Sequence, residues 1–432
     1  MDFFESLKTH FEKEEIDKLK ESLSQERSYC LVLDESKISS ELFIKMYPNL
    51  IEHPFVKNAF FYNKNEYDFG KKLEYDLGCY SIQDGSSMMV PYFLDPKNDE
   101  LTLDFSAAPG GKTILASLLC DRKNLIISND INYERARALS NNVERMGLDN
   151  IVVISNDFSR IYPDFAHFFD KIILDAPCSG SAMFRKNSNA LNGWSMRKVA
   201  QCAQLQKELI YYAWSMLKPG GKLIYSTCSF SKEENEQVIS SLTEKFNDVT
   251  IIDLSNSKYF KSSSLIKGAI YIVPYLFNGE GQFICLLEKI GDPYIQKRYK
   301  LPKNITNELT KKYDLDDRTN IILNNTLYSL NNYFPVSKSL KILRYGIQVS
   351  SENNYTSPLF SLSRAYRGKN KIELDENKTK LYLHGDSFQL GVENGFHIVS
   401  YKGMNLGFVK VVNGIAKNLY PKGLRREYKT IF

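Results

Sequence analysis

The sequence predicts an α/β protein built around a doubly wound parallel sheet. Two observations carry this. From about residue 100, short apolar runs rich in β-branched residues alternate with amphipathic helical stretches, the pattern of strands covered by helices on both faces. The first run passes through a Pro-Gly-Gly loop at 109–111 straight into a helical stretch, as a ligand-binding turn in such a sheet does.

The elements follow in order. Strands are predicted over 101–106, 125–130, 151–157, 171–175 and 222–227, with helices near 110–120, 132–146 and 197–217. Lys-Pro-Gly-Gly at 218–221 stops the last helix, since neither Pro nor Gly continues one. Apolar runs at 249–254, 269–275 and 282–287 complete the sheet with an antiparallel edge. Residues 1–90 mix helix and strand signals, giving a flanking N-terminal α+β region. The basic stretch IQKRYKLPKN at 295–304 reads as a linker into a second small α+β region. From Lys380 onward, short strands are broken by glycines, which predicts a small β-barrel. The expected division is 1–90, 91–290, 291–372 (ferredoxin-like or linker) and 373–432.

Composition narrows the function classes. A chain of 432 residues, 43% hydrophobic and 25% charged, is an ordinary globular protein rather than a disordered one. Its seven cysteines are odd in number and lack CxxC or Cys/His spacing. That argues for free thiols in a reducing, cytoplasmic setting and predicts no metal site. No run approaches the ~20 apolar residues of a membrane span. The formal net charge is +5; residues 376–432 hold nine Lys or Arg against four Asp or Glu, leaving 47 of each in the first 375. All the excess positive charge therefore sits in the tail, where it suits a phosphate backbone.

The loop "LDFSAAPGGKTILASLL" (101–117) resembles the end of a nucleotide-binding P-loop, but that pattern needs glycine at 106 and the chain has Ser106. A P-loop ATPase is thereby disfavoured, and no G-x-G-x-x-G supports a nicotinamide cofactor. The next three predicted strands end in Asp130, Asp157 and Asp175. Acidic strand tips suit a ligand with ribose hydroxyls and no phosphate chain, and that points to S-adenosylmethionine.

DAPCSGSAMFRK (175–186) and STCSF (226–230) each place a cysteine, Cys178 and Cys228, just past a strand end. If their strands are neighbours, the two open onto one cleft. Carbon 5 of a pyrimidine attacks a methyl donor only after a thiolate has added at carbon 6, so this chemistry requires a cysteine. An acid must hold the charge displaced toward ring N3, and Asp175 stands three residues before Cys178. Spacing alone leaves open which cysteine is the nucleophile. A methyltransferase acting on an exocyclic adenine amine would instead show Asn/Asp-Pro-Pro-Tyr/Phe where DAPC stands.

DFSAAPGGKT, ISNDINYERARALSNNVERMG, DAPCSGSAMFRK and IYSTCSFSKEENEQV, in that order, resemble the motifs of the Fmu/Sun family of RNA cytosine carbon-5 methyltransferases. GCYSIQDGSSMMVPYFLD (78–95) resembles the family segment before the first sheet strand, and the tail resembles the PUA-like end of the branch acting on small-subunit ribosomal RNA. The resemblance implies a Rossmann-like methyltransferase sheet and a C-terminal PUA-like β-barrel. It implies that Cys228 is the nucleophile and that Cys178 assists product release. It further implies that Ser106, Ala107, Ala108, Pro109, Gly110, Gly111 and Lys112, with Asp130, Asp157 and Asp175, bind S-adenosylmethionine. The expected partner is RNA, foremost 16S rRNA or the small ribosomal subunit, handled by a monomer. The same chemistry on tRNA or another RNA, and a non-catalytic RNA-binding scaffold, are the alternatives. Arg185 and Lys186 beside the PC motif, and Lys422, Arg425 and Arg426 in the tail, are the expected RNA contacts. Two positions depart from the family pattern, Ser106 in place of Cys and Ala182 in place of Gly. The second is expected to reshape its loop by removing a residue free to take positive φ.

Overall fold

In the sheet strands, successive side chains feed two different cores. Leu223 and Tyr225 join one apolar cluster and Ile224 the other; Ile172 and Leu174 divide from Ile173 in the same way. Strands buried on both faces need apolar residues at every position, which is why these runs read as continuous. The computed structural model describes residues 2–185, 194–292, 303–351, 356–425 and 428.

An N-terminal antiparallel sheet holds β1 (Tyr29–Leu33), β2 (Ile51–Glu52), β3 (Ala59–Tyr62) and β4 (Tyr80–Gln83). The main sheet has five parallel strands, β5 (Leu101–Asp104), β6 (Leu125–Asn129), β7 (Ile151–Ile154), β8 (Phe169–Asp175) and β9 (Leu217–Thr227). Their spatial order is β9-β8-β5-β6-β7, so the winding reverses between β5 and β8. Ligands bind beyond the carboxyl ends of strands at such a reversal. β10 (Val249–Ile252), β11 (Lys261–Ser262), β12 (Ile270–Ile272) and β13 (Gln282–Lys289) extend the β9 side, with β13 antiparallel to β9 as the sequence predicts.

Helices α1 (Phe3–Leu7) and α2 (Lys13–Leu23) precede the N-terminal sheet, and α3 (Gly85–Leu94), α4 (Gly111–Leu119), α5 (Tyr133–Met146), α6 (Met196–Met216) and α7 (Glu236–Lys245) follow it. α3, α4 and α5 cover one face of the main sheet; α6 and α7 cover the other together with α1 and α2. Residues 1–90 are therefore not one unit. Phe3, Leu7, Ile16 and Leu19 belong to the main-sheet core, whereas β1 and β4 share a core with the C-terminal strands.

The region expected to be ferredoxin-like is instead a three-stranded antiparallel sheet of β14 (Thr319–Leu323), β15 (Thr326–Leu330) and β17 (Ile347–Ser350). Between the last two, β16 (Ile342–Tyr345) leaves to pair antiparallel with β7 and caps the far edge of the main sheet. Residues 295–302 of the expected linker lie outside the described residues. After α8 (Phe360–Ala365) come β18 (Ile372–Glu373), α9 (Glu376–His384), β19 (Phe388–Gln389), β20 (Gly395–Tyr401), β21 (Met404–Val412) and β22 (Ile415–Asn418). These strands form one curled sheet in the order β18-β20-β21-β22-β19, a half-barrel rather than a closed barrel. Among the described residues, no helix is long and apolar enough to cross a membrane.

Candidate active site

The site is built on the winding reversal. β5 ends at Asp104, and the chain turns through Ser106–Pro109, with a cis Ala108–Pro109 peptide, into α4. Gly110 caps that helix at φ 111°, a conformation disfavoured for any residue with a Cβ. α5 and its approach hold the loop from behind: Arg135 donates to the Ala108 carbonyl at 2.8 Å and Asn142 to that of Pro109 at 3.0 Å.

β8 ends at Asp175, whose carboxylate is held by three side chains. Lys112 Nζ reaches Oδ2 at 2.7 Å, while Ser226 Oγ and Gln282 Nε2 donate to Oδ1 at 2.7 and 3.0 Å. Lys112 thus serves a carboxylate, not a phosphate. Beyond β8 and β9, Cys178 Sγ and Cys228 Sγ lie 3.0 Å apart, both thiols free. The hydrogen bond with Cys228, together with burial, pushes the Cys178 thiol well up from its ordinary pKa.

A buried carboxylate that sequence reasoning missed ties the two cysteine loops together. Glu234, fully buried, accepts from the Ser179 N–H at 2.7 Å, the Ser179 hydroxyl at 2.5 Å and the Ser229 hydroxyl at 2.6 Å. Its neighbour Asn235 accepts from Thr227 Oγ1 at 2.6 Å and donates to the Ser229 carbonyl at 2.8 Å. Ala182 does not stand at a positive-φ position. The positive φ of this loop sits at Gly180 (77°), and Ala182 lies in a 3-10 turn where its N–H donates to the Cys228 carbonyl at 3.0 Å.

A cavity of ≈ 340 Å³ opens at this point, lined by Ser106–Pro109, Gly111, Lys112, Asp175 and Cys228 among others. Its size lies in the range of sites for small ligands. Several wall groups are polar, buried and unpaired: both ends of the Gln83 amide and Asp104 Oδ1. Burial raises Asp104 to about 7, although the Thr113 hydroxyl bonds its other oxygen at 2.5 Å. Buried polar groups are normally satisfied, so these atoms fit a bound group offering both donors and acceptors, as S-adenosylmethionine does. Asp104 carries the same strand-tip signal as the aspartates singled out from sequence; Gln83 and Gln282 carry none.

The other expected residues divide. Asp130 and Asp157 do not line the cavity. Asp130 is buried at the tip of β6, where it accepts from the Asn132 N–H at 3.0 Å and faces Arg135 at 3.4 Å. Asp157 caps the short helix Phe158–Ile161 through the Ser159 N–H at 3.0 Å, a helix-capping role. Arg185 is engaged within the protein: its side chain is 6% exposed, paired with buried Glu280 at 3.2 Å and bonded to the Gly279 carbonyl. Lys422 is exposed in the tail, and Arg425 donates to the Tyr420 carbonyl at 3.4 Å. Lys186 and Arg426 lie outside the described residues.

Residues 91–288 match the family model described as 16S rRNA methyltransferase RsmB/F, and residues 369–426 match the methyltransferase RsmF PUA domain. The chain is 30% identical to ribosomal RNA small subunit methyltransferase F of Shewanella woodyi, across 90% of this chain and 89% of that protein. It is 29% identical to the protein of the same name from Vibrio vulnificus, across 86% and 84%. Among solved structures, a methyltransferase homolog protein from Pyrococcus horikoshii is 29% identical with a TM-score of 0.59, over 66% of this chain and 94% of that one. NSun6 from the same organism, solved with SFG, is 21% identical with a TM-score of 0.61 over 67% and 98%, a likeness of fold.

Proposed function

The chain belongs to the RsmB/F family of 16S rRNA methyltransferases, and on that premise we propose that it methylates carbon 5 of a cytosine in 16S rRNA through a covalent bond to Cys228. One observation carries the reading: two free thiols 3.0 Å apart at the tips of adjacent parallel strands, beside a cavity that also presents the Lys112–Asp175 pair. The family's cofactor, S-adenosylmethionine, supplies a sulfonium-bound methyl group. The Ser106–Lys112 loop, Asp104 and Gln83 would hold it.

The residues divide the remaining work. The Cys228 thiolate adds to carbon 6, and the electrons of the 5,6 double bond move to carbon 5, which becomes the ring's nucleophile. Asp175, fixed by Lys112, Ser226 and Gln282, faces the polar edge of the ring. After carbon 5 has gained its methyl group, solvent water takes its remaining proton, the electrons of that C–H bond re-form the 5,6 double bond, and the carbon 6–sulfur pair leaves on the Cys228 sulfur as thiolate. Cys178 keeps its proton because the hydrogen bond with Cys228, then burial, raises its pKa, so its S–H can hydrogen-bond the departing Cys228 sulfur. The target base must be unpaired or flipped out to reach this cavity. Free thiols support a reducing, cytoplasmic setting.

Incubation with a 16S rRNA transcript and the methyl donor tests the assignment. Cys228→Ala is expected to give no 5-methylcytosine by bisulfite sequencing while binding S-adenosylmethionine as the wild type does. Cys178→Ala is expected to accumulate an RNA–protein band stable in denaturing gels. Wild-type turnover by Cys228→Ala would overturn the covalent route; methylation of tRNA instead of rRNA would overturn the substrate.

A further inference from the structure

Away from the catalytic cavity, a cleft of ≈ 60 Å³ lies where the loop after β1, the end of α8 and the β20–β21 turn meet. Lys37, Arg364, Arg367 and Lys371 line it, and among the described residues no carboxylate does. Arg364, 2% exposed, donates through Nη1 to the Asn405 carbonyl at 2.9 Å, but its Nε and Nη2 are buried without a hydrogen-bond partner. A buried cationic nitrogen left unpaired is costly, and an incoming acceptor would remove that cost.

The other cations touch carbonyls, which satisfy their hydrogens without neutralising their charge. Lys37 donates to Leu77 at 3.0 Å, Arg367 to Arg364 at 3.0 Å and Gly147 at 3.3 Å, and Lys371 to Gly403. The nearby acids are engaged elsewhere. Asp34 pairs with Arg122 and lies 3.9 Å from Arg367, Asp149 pairs with Arg318 at 2.8 Å, and Glu373 accepts from Ser400 at 2.7 Å and from the Gly403 N–H at 3.2 Å. Burial first, then the Arg367 charge, holds Lys37 well below its ordinary pKa. Asp34 is the counter-charge near Lys37 and Arg367, and it is shared with Arg122, so the cations outnumber it.

We propose that this cleft binds a phosphate group presented by the backbone of the substrate RNA; that source rests on the RNA-directed function above. Three features fit an oxyanion: exposed Ser36, Arg367 and Gly403 keep the mouth open, Arg364 forms the floor, and the volume suits a few heavy atoms rather than a base. The position fits a polynucleotide. Tyr29, at one end of β1, lines the catalytic cavity, while Ser36 lies beyond the other end. β1 spans about 13 Å, so one RNA strand can engage both within a few nucleotides.

The test uses the full chain carrying Arg367→Gln with Lys371→Gln at the rim, and separately Arg364→Met at the floor. Binding of a 16S rRNA transcript is measured across a salt series, with S-adenosylmethionine affinity confirming that each variant folds. The rim variant is expected to bind RNA about tenfold more weakly, with a salt slope shallower by about one. Inorganic phosphate is expected to raise the Tm of the wild type and not of the rim variant. Unchanged RNA affinity and slope in the rim variant would overturn the proposal whether or not Arg364→Met folds, and so would phosphate stabilisation without any change in RNA binding. A wild type that binds RNA here yet methylates no cytosine would overturn the catalytic reading instead, leaving this measurement intact.

Discussion

Glu234 illustrates how much one side chain can organise. It receives donors from both cysteine loops, so the 3.0 Å sulfur separation depends on it without its touching either sulfur. Glu234→Ala would leave those donors buried and unpaired, at about 3 kcal/mol or more, and a large fall in Tm is expected. Glu234→Gln keeps the volume but presents a donor to a nest of donors. Its kcat is expected to fall at least tenfold while the Kd for S-adenosylmethionine holds; an unchanged kcat would show that the loops keep their register without the carboxylate. At this scale the two cysteines were legible because a strand tip is a chemical position readable from spacing. Glu234 and Arg185 were not. The Ser179 donors to Glu234 come from a loop 55 residues away and Glu280 lies 95 residues from Arg185, and nothing local distinguishes a buried pair from an exposed charge.

Among the elements, the parallel strands and their helices matched the expected segments closely, because burial on both faces imposes an apolar run that few other environments produce. β16 and the α1–α2 pair escaped. β16 and α1 are short and fixed by what they pack against, whereas α2 has 11 residues and a Glu12–Glu15 capping box, and only its place was hidden: β16 completes an open sheet edge, and α1 and α2 cover a face of the main core. The start of α4 carries a prediction of its own. A Cβ on Gly111 would stand 2.8 Å from Gln83 Oε1. Because that amide is free in the cavity wall, Gly111→Ala is expected to displace it rather than unfold the helix. Affinity for S-adenosylmethionine by titration calorimetry should fall about tenfold with Tm little changed. A large drop in Tm with unaltered affinity would instead place the strain in the helix.

For the whole molecule, two buried groups give stability opposite dependences on pH. His53 is held to about 4 mainly by burial; its Nδ1 accepts from the Phe55 and Val56 N–H groups at 3.2 and 3.0 Å, so protonation there breaks both bonds. Its unfolded value is 6.5. The stability it contributes is complete above that value and lost as pH falls through the folded one. Asp104 runs the other way. Burial raises it from 3.8 to about 7, so its contribution is complete below 3.8 and lost as pH rises through 7. The charge distribution of the sequence revealed neither group, since desolvation is a property of the packed chain. Calorimetry without cofactor separates them. Asp104→Asn removes a buried charge that is present only near and above pH 7, so its Tm should exceed the wild type's most at pH 7.5, and the gap should close toward pH 4. His53→Gln should lie below the wild type at pH 7.5, and that gap should also narrow toward pH 4, because the wild-type imidazole loses its advantage as it protonates. Curves running parallel to the wild type across this range would mean that neither site is as dry in solution as its surroundings make it.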